Sequence, residues 1–258
     1  MAVQTTTYAL SGQRALVTGG SRGIGRSIAL GLARCGANVA VNYRGAAEAA
    51  AEVVAAIKDH DRTAVAVQAD VTDPKSVDRL LDAAESAIGP IDLLVNNAGI
   101  VRRSPFLDIA KEEWDAVLHT NLDGPFLVGQ AVARRMVQRG IRGRIINVAS
   151  TSSKDAGLNL THYCVSKAGV SMLTKMMALE LAGHGINVNE VNPGLIETDL
   201  TRGYLQNEAN RQFRLSRIPM KRIGDPEEIV GAVLFLASHD ARLMTGASVY
   251  VDGGVTIW

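Results

Sequence analysis

Arg14-Ala15-Leu16-Val17 runs straight into Thr18-Gly19-Gly20-Ser21-Arg22-Gly23-Ile24-Gly25, and residues 27–35 follow with apolar side chains at helical spacing. Strand, glycine loop, helix is the order in which a glycine cluster carries meaning. A helix start presents unpaired N–H groups and a positive dipole end, and glycines let the backbone come close to a pyrophosphate. The spacing is GxxxGxG counted from Gly19. It points to a dinucleotide site; by itself the same turn would serve any strand-to-helix connection.

Outward from this stretch, a second apolar run at 38–42 ends in Asn42-Tyr43-Arg44, with no carboxylate before Glu48. A carboxylate there would hold a ribose 2′-hydroxyl; an arginine would instead pair with a 2′-phosphate. Arg44, with Arg22 from the glycine loop, therefore points to NADP(H); the alternative is two solvated surface arginines. A helix at 46–59 and a strand at 63–68 lead to Asp70-Val71, where Asp70 could cap the next helix or accept from an adenine amino group. A helix follows at 72–87, with Thr72 or Asp73 as N-cap and Pro74 in its first turn. A fourth strand at 91–95 closes on Asn96-Asn97-Ala98-Gly99. Residues 111–139 read as one long helix, with Asn121 in its middle and Gly124-Pro125 just beyond, a place to expect a kink that exposes a backbone carbonyl.

A fifth strand at 143–149 leads to Ser150 and a polar loop at 151–161, then a helix at 162–182. A sixth strand at 186–191 ends in Pro193-Gly194, a helix spans 225–237, and a seventh strand at 248–251 precedes Asp252-Gly253-Gly254. Alternating strands and helices give an α/β, Rossmann-type, doubly wound seven-stranded parallel sheet with helices on both faces. No linker divides residues 1–258, so a single domain is expected.

Composition narrows the function classes. The chain is 47% hydrophobic with 25 glycines, and its 27 basic and 26 acidic residues leave a net charge of +1. That balance gives no support for nucleic-acid or membrane-surface binding. The two cysteines, Cys35 and Cys164, form no disulfide framework, and the five histidines have no metal-ligand spacing. No metal is assigned. No apolar run reaches membrane-spanning length, and residues 1–11, read as a loose tail, lack the features of a signal peptide. A cytoplasmic protein is the default expectation.

Tyr163-Cys164-Val165-Ser166-Lys167 brings chemistry. In a helix, Tyr163 and Lys167 lie on one face, a turn apart. A free tyrosine has a pKa of about 10; an adjacent ammonium favours phenolate and would make it a general acid/base near neutral pH. Cys164 has no activating partner and reads as packing.

With these residues in order and at these spacings, the chain resembles the classical short-chain dehydrogenase/reductase family over nearly its full length. The matching residues are Thr18-Gly19-xxx-Gly23-x-Gly25, Asn96-Asn97-Ala98-Gly99, Asn121, Ser150, Tyr163-xxx-Lys167 and Pro193-Gly194. The resemblance implies a catalytic tetrad of Asn121, Ser150, Tyr163 and Lys167. Ser150 would donate to the carbonyl oxygen as charge develops there, Tyr163 would supply the proton, and Lys167 would hold the nicotinamide ribose. Asn121 would position a water that links Lys167 to solvent. The resemblance also implies cofactor contacts from Gly19, Ser21, Arg22, Gly23, Ile24 and Gly25, from Tyr43 and Arg44, and from Asp70 and Val71 beside the adenine. Asn97, Ala98 and Gly99 would lie along the cofactor, and Pro193, Gly194, Ile196 and Thr198 would meet the nicotinamide. Residues 200–224 would cover the substrate. The two long helices, apolar over more than one face and carrying Met172, Leu173, Met176 and Met177, would pair into a homotetramer, with Trp258 a further interface residue.

The expected reaction is hydride transfer between NADP(H) and a secondary alcohol or ketone. Arg202, Arg211, Arg214 and Arg217 could meet an anionic substrate or simply form a solvated helix face. Carrier-protein reductases in the family carry arginines where Ile141 and His184 stand here, although Arg142 and Arg144 lie close by. That difference, together with likeness in 139–144 and 217–222 to the family's polyol and sugar dehydrogenases, favours a sugar, sugar acid or polyol. The alternative is a 3-oxoacyl-[acyl-carrier-protein] reductase. A dinucleotide-sensing protein on an inactive scaffold would be expected to lack Tyr163 or Lys167, and both are present.

Overall fold

The computed structural model describes residues 8–257. The first part of the expected N-terminal tail, and Trp258, lie outside that range. The tail ends sooner than residue 11. Leu10 is fully buried, and its N–H donates to Cys35 O at 2.9 Å.

Seven strands form the sheet: β1 (Arg14–Val17), β2 (Asn38–Tyr43), β3 (Ala64–Gln68), β4 (Leu93–Asn96), β5 (Arg144–Val148), β6 (Asn187–Pro193) and β7 (Ser248–Val251). They lie in the order β3-β2-β1-β4-β5-β6-β7, all parallel. Helices α1 (Gly23–Arg34), α2 (Ala47–Lys58) and α3 (Pro74–Ile88) connect the first four strands. Strand side chains alternate between faces, and here both faces are covered. Ala15 and Val17 of β1 join the core of Ile28 and Leu32 from α1 and Val53 and Ile57 from α2, whereas Leu16 between them joins Leu80 and Leu81 of α3. Such double burial is what the nearly continuous apolar strands demand. Strand order reverses between β1 and β4, and ligands of open α/β sheets bind at that switch point, beyond the strand C-termini.

The single helix expected over 111–139 is broken in three: α4 (Lys111–Leu118), a π-turn (His119–Asp123) and α5 (Gly124–Gln138). Pro125 has no N–H to give the carbonyl four residues back, which belongs to Asn121. The ladder slips instead, and Gly124 N–H bonds His119 O, five residues back. Beyond β5 the polar loop contains a short 3₁₀ turn (Thr151–Ser153), and α6 (Thr161–Leu181) follows. The irregular segment expected at 200–224 is more ordered than its sequence suggests. It holds α7 (Asp199–Leu205), capped by Thr198 with Thr201, and α8 (Glu208–Arg217), capped by the Asn207 side chain. Leu205, Ile218 and Leu195 bury themselves together beneath these helices. The last helix, α9 (Glu227–Ala237), starts just after Pro226 and packs on the α1 side through Ile229 and Val233.

Candidate active site

A cleft of ≈ 520 Å³ opens along the C-terminal ends of the strands. At its floor the glycine loop is held from two sides. Asn42 of β2, buried, accepts from Gly19 N at 3.3 Å and donates to Ala69 O at 3.1 Å. Asn97 Nδ2 donates to Thr18 O and Gly19 O, both at 3.0 Å, and the Thr18 hydroxyl accepts from Asn97 N and Ala98 N. Asn42 was read from sequence only as a strand end; its role in binding the loop to β2 comes from the fold.

Arg22, at the N-cap of α1, provides no side-chain cap. The first-turn N–H groups therefore remain available to an anion. A Cβ built on Gly25 would come within 2.3 Å of Gly19 O and 2.4 Å of Asn97 Nδ2, so only glycine lets helix and loop close this tightly. Arg22 and Arg44 both line the cleft and are exposed. Asp70 is not the helix cap; it braces the turn before α3 and stays at the cleft. Its Oδ1 accepts from Thr72 N at 2.9 Å and Thr72 Oγ1 at 2.7 Å, while Asp73 caps α3, and Asp70 still lines the cleft. Burial would raise the Asp70 carboxyl, but the two Thr72 hydrogen bonds and the charge of Arg44 outweigh it, leaving it below the usual carboxylate value.

The residues expected to bind cofactor all line this one cleft: the glycine loop with Gly19, Ser21, Gly23 and Ile24, Tyr43, Val71, the Asn97-Ala98-Gly99 segment, and Pro193, Gly194, Ile196 and Thr198. Ser150, Tyr163 and Lys167 meet them at its inner end. Asn121 does not. It is fully buried behind the wall, where Oδ1 accepts from Ile100 N at 2.8 Å and Nδ2 donates to Ile100 O at 2.9 Å and to Ser166 Oγ at 3.1 Å. The π-turn thus clips the segment after β4 to the start of α6.

The electrostatics involve more groups than the Tyr163–Lys167 pair. Lys167 Nζ donates to Val148 O at 2.8 Å and stands 5.9 Å from the centroid of the Tyr163 ring. Burial pushes the Lys167 ammonium down to about 8, with the charge of Glu190 opposing. Burial raises the Tyr163 phenol, Cys164 adds to that, and a hydrogen bond with Ser150 and the positive charge of Arg103 act against it. Arg103, which sequence reasoning missed, adds a small positive influence that favours the phenolate. Its guanidinium is 3.8 Å from the Tyr204 ring centroid, and burial lowers its pKa, with Tyr204 opposing and Arg214 adding repulsion. Of the four arginines considered in 200–224, Arg214 lines the cleft; Arg202 pairs with Asp199 at 2.6 Å, and Arg217 lies 5.8 Å from the Phe213 ring. Arg103 carries a faint sequence signal: it follows the Asn97-Ala98-Gly99 edge by four residues, on the rim where ligands sit.

A family model described as enoyl-(acyl carrier protein) reductase matches residues 19–256. A gluconate 5-dehydrogenase of Gluconobacter oxydans is 41% identical over 250 residues, covering 97% of each chain. The chain belongs to the short-chain dehydrogenase/reductase family. Within that family it is also 43% identical to a 3-oxoacyl-[acyl-carrier-protein] reductase of Synechocystis sp., over 97% of this chain and 99% of that one. Among solved short-chain dehydrogenase/reductase structures, a gluconate 5-dehydrogenase from Burkholderia cenocepacia, in complex with NADP and tartrate, superposes with a TM-score of 0.92 at 40% identity, covering 98% of both chains. The protein is thus an oxidoreductase of the NAD(P)-binding Rossmann type, and among its described residues no helix is long and apolar enough to cross a membrane.

Proposed function

We propose that this protein is an NADP(H)-preferring dehydrogenase/reductase of a small sugar acid, acting in the cytoplasm as a homotetramer. The observation that carries the substrate class is the pair of arginines, Arg103 and Arg214, converging on the cleft beside Tyr163 and Ser150. Two guanidinium groups at the cleft repel each other until an anion joins them. A carboxylate is the group whose geometry fits an arginine fork. Gluconate named for one relative, and tartrate bound to another, are both polyhydroxy acids. The single-domain chain would close over such a substrate with α7 and α8, because Asp199, Leu200, Thr201 and Arg214 already line the cleft mouth.

Bound NADP(H) supplies or accepts the hydride. The chain's own residues handle the proton and the developing charge. Tyr163 gives its phenolic proton to the substrate oxygen in reduction and takes it back in oxidation. Ser150 donates a hydrogen bond to the same oxygen. Lys167 holds the ribose hydroxyls, and Asn121 fixes the wall that supports Tyr163's helix. Preference for NADP(H) rests on Arg44 and Arg22 in the cleft, and on the strand end Asn42-Tyr43-Arg44, which lacks a carboxylate. The tetramer rests on an exposed apolar face on α5 and α6: Phe126, Val137, Met172, Met176 and Leu179, beside a groove of ≈ 460 Å³. Met177, grouped with these in the sequence, lines the groove and also packs against the core.

The 3-oxoacyl carrier-protein reaction is the second reading, because a reductase of that name is 43% identical. The test compares kcat/KM across sugar acids, neutral polyols and 3-oxoacyl carrier protein, each with NADP(H) and NAD(H). A sugar acid turned over fastest supports the proposal. A carrier-bound substrate turned over far faster, at a rate falling steeply with salt, replaces it with the second reading.

A further inference from the structure

Glu190 is the least expected residue in the sheet. It sits in the middle of β6, between Val191 and Asn189, and only 1% of it is exposed. A carboxylate so deep in an α/β core is strongly disfavoured unless it is paired and hydrogen-bonded. One oxygen is well satisfied: Oε1 accepts from Ser171 Oγ at 2.9 Å, Ser248 Oγ at 2.6 Å and Asn192 Nδ2 at 3.0 Å. The other, Oε2, is buried with no hydrogen-bond partner.

Two lines of geometry tie this carboxylate to the reacting groups. Lys167 and Ser171 are four residues apart on α6 and share one face. Because Ser171 touches Glu190, the carboxylate lies within a turn of the Lys167 position. Lys167 Nζ itself bonds Val148 O, and Val148 pairs in register with Val191, the next residue along β6 from Glu190. The second line runs along β6. Glu190 and Asn192 point to the same face of the strand, and while Asn192 Nδ2 donates to Glu190, its Oδ1 accepts from Ser150 N at 3.3 Å and Ser153 Oγ at 3.1 Å. Asn192 is fully buried, and with both of its functional groups engaged its orientation is fixed by the Glu190 acceptor.

We propose that Glu190 is a positioning residue of the reaction: the buried counter-charge of Lys167 and, through Asn192, the anchor of the Ser150 segment. The proposal rests on the reading of Ser150, Tyr163 and Lys167 as the proton-transfer site. The charged and titratable groups around the pair are few. From α6 come Lys167 and, on its far side, Tyr163, itself acted on by Arg103 and Cys164. The partners contributed by β5 and β7 are the Val148 carbonyl and the Ser248 hydroxyl, neither of which titrates near neutrality. Burial drives Lys167 towards its neutral form and Glu190 is the charge that opposes it, so the ammonium stays available near neutral pH because Glu190 is there.

The test uses the full-length, cofactor-free protein with ¹³C-enriched lysine side chains, the Lys167 resonance being assigned by its loss in Lys167→Met. In the wild type it should titrate at about 8. In Glu190→Gln the midpoint should fall by about one pH unit or more, the size of shift a nearby opposite charge produces. The alkaline limb of kcat/KM for ketone reduction should move down with it. Ser248→Ala, which removes a hydroxyl and leaves the charge, should not move the Lys167 midpoint. An unmoved midpoint in Glu190→Gln overturns the proposal. Should that variant fail to fold, the wild-type Glu190 carboxyl carbon, assigned with Glu190→Asp, decides the matter. An ionised carboxylate at neutral pH supports the pairing, and a protonated one overturns it. These titrations need no turnover. They are therefore independent of Tyr163→Phe, whose failure to abolish activity would sink the proton-transfer reading instead.

Discussion

Replacing Arg103 with methionine should separate acidic from neutral substrates. Methionine keeps apolar bulk against the Tyr204 ring, which the guanidinium now faces at 3.8 Å, and removes only the charge and the donors. Arg103 is exposed at the cleft rim, so solvent partly screens its interaction with a substrate carboxylate and the effect belongs at the low end of the range for charged hydrogen bonds. A hydrogen bond to a charged group contributes about 1.5–3 kcal/mol, or roughly 10–100-fold. That loss belongs to substrates carrying a carboxylate. The assay is kcat/KM for a sugar acid and for a neutral polyol of the same chain length, at saturating NADP(H). The acid should lose about 10-fold, and the polyol should change a few-fold at most. A second effect falls on both substrates: without Arg103 one of the groups holding the Tyr163 phenol down is gone. The pH profile for alcohol oxidation should therefore shift to more alkaline values, because the phenol must ionise before it can take a proton. Equal losses on acid and polyol, or none on the acid, would refute the assignment of Arg103 to substrate binding.

Arg44→Ala should raise the Michaelis constant for NADP(H) by roughly 10–100-fold, the worth of one charge-assisted pair, and leave that for NAD(H) nearly untouched; equal effects on both would count against the 2′-phosphate reading. Gly25→Ala places a methyl 2.3 Å from Gly19 O and 2.4 Å from Asn97 Nδ2. It should cost about 1–3 kcal/mol of stability as an overpacked site and weaken NADP(H) binding in a fluorescence titration, whereas an unchanged melting curve and dissociation constant would contradict the tight loop. Light scattering should give a tetramer for the wild type and a smaller species for Met176→Glu on the exposed α6 face; a wild-type monomer at micromolar concentration would end the assembly proposal.

What the sequence made legible follows from local pattern. Apolar runs of strand length, glycine-rich ends and helical spacing located all seven strands and brought the glycine loop, Asn97-Ala98-Gly99, Ser150, Tyr163 and Lys167 to one edge. What it hid depends on partners far along the chain. The break at Asn121 was foreshadowed by Pro125, but burial of that asparagine against Ile100 and Ser166 requires the folded sheet. Tyr163 and Lys167 share a helix face as expected, yet a helix position does not say which way a long, flexible side chain turns, and Val148 O draws the ammonium. Arg103 lies in an irregular segment and gains its role only where α7 and α8 bring Tyr204 and Arg214 against it. Leu10 looked like part of a polar tail until the turn after α1 offered it a carbonyl.

The central claim is that Tyr163 moves the proton in a hydride-transfer reaction, and Tyr163→Phe tests it most directly, because the ring stays and only the hydroxyl is lost. With the best substrate from the panel, turnover should fall by roughly 10²–10⁴-fold, the usual contribution of general acid catalysis, while NADP(H) still binds with nearly wild-type affinity. A variant that keeps a tenth of wild-type turnover would contradict the account.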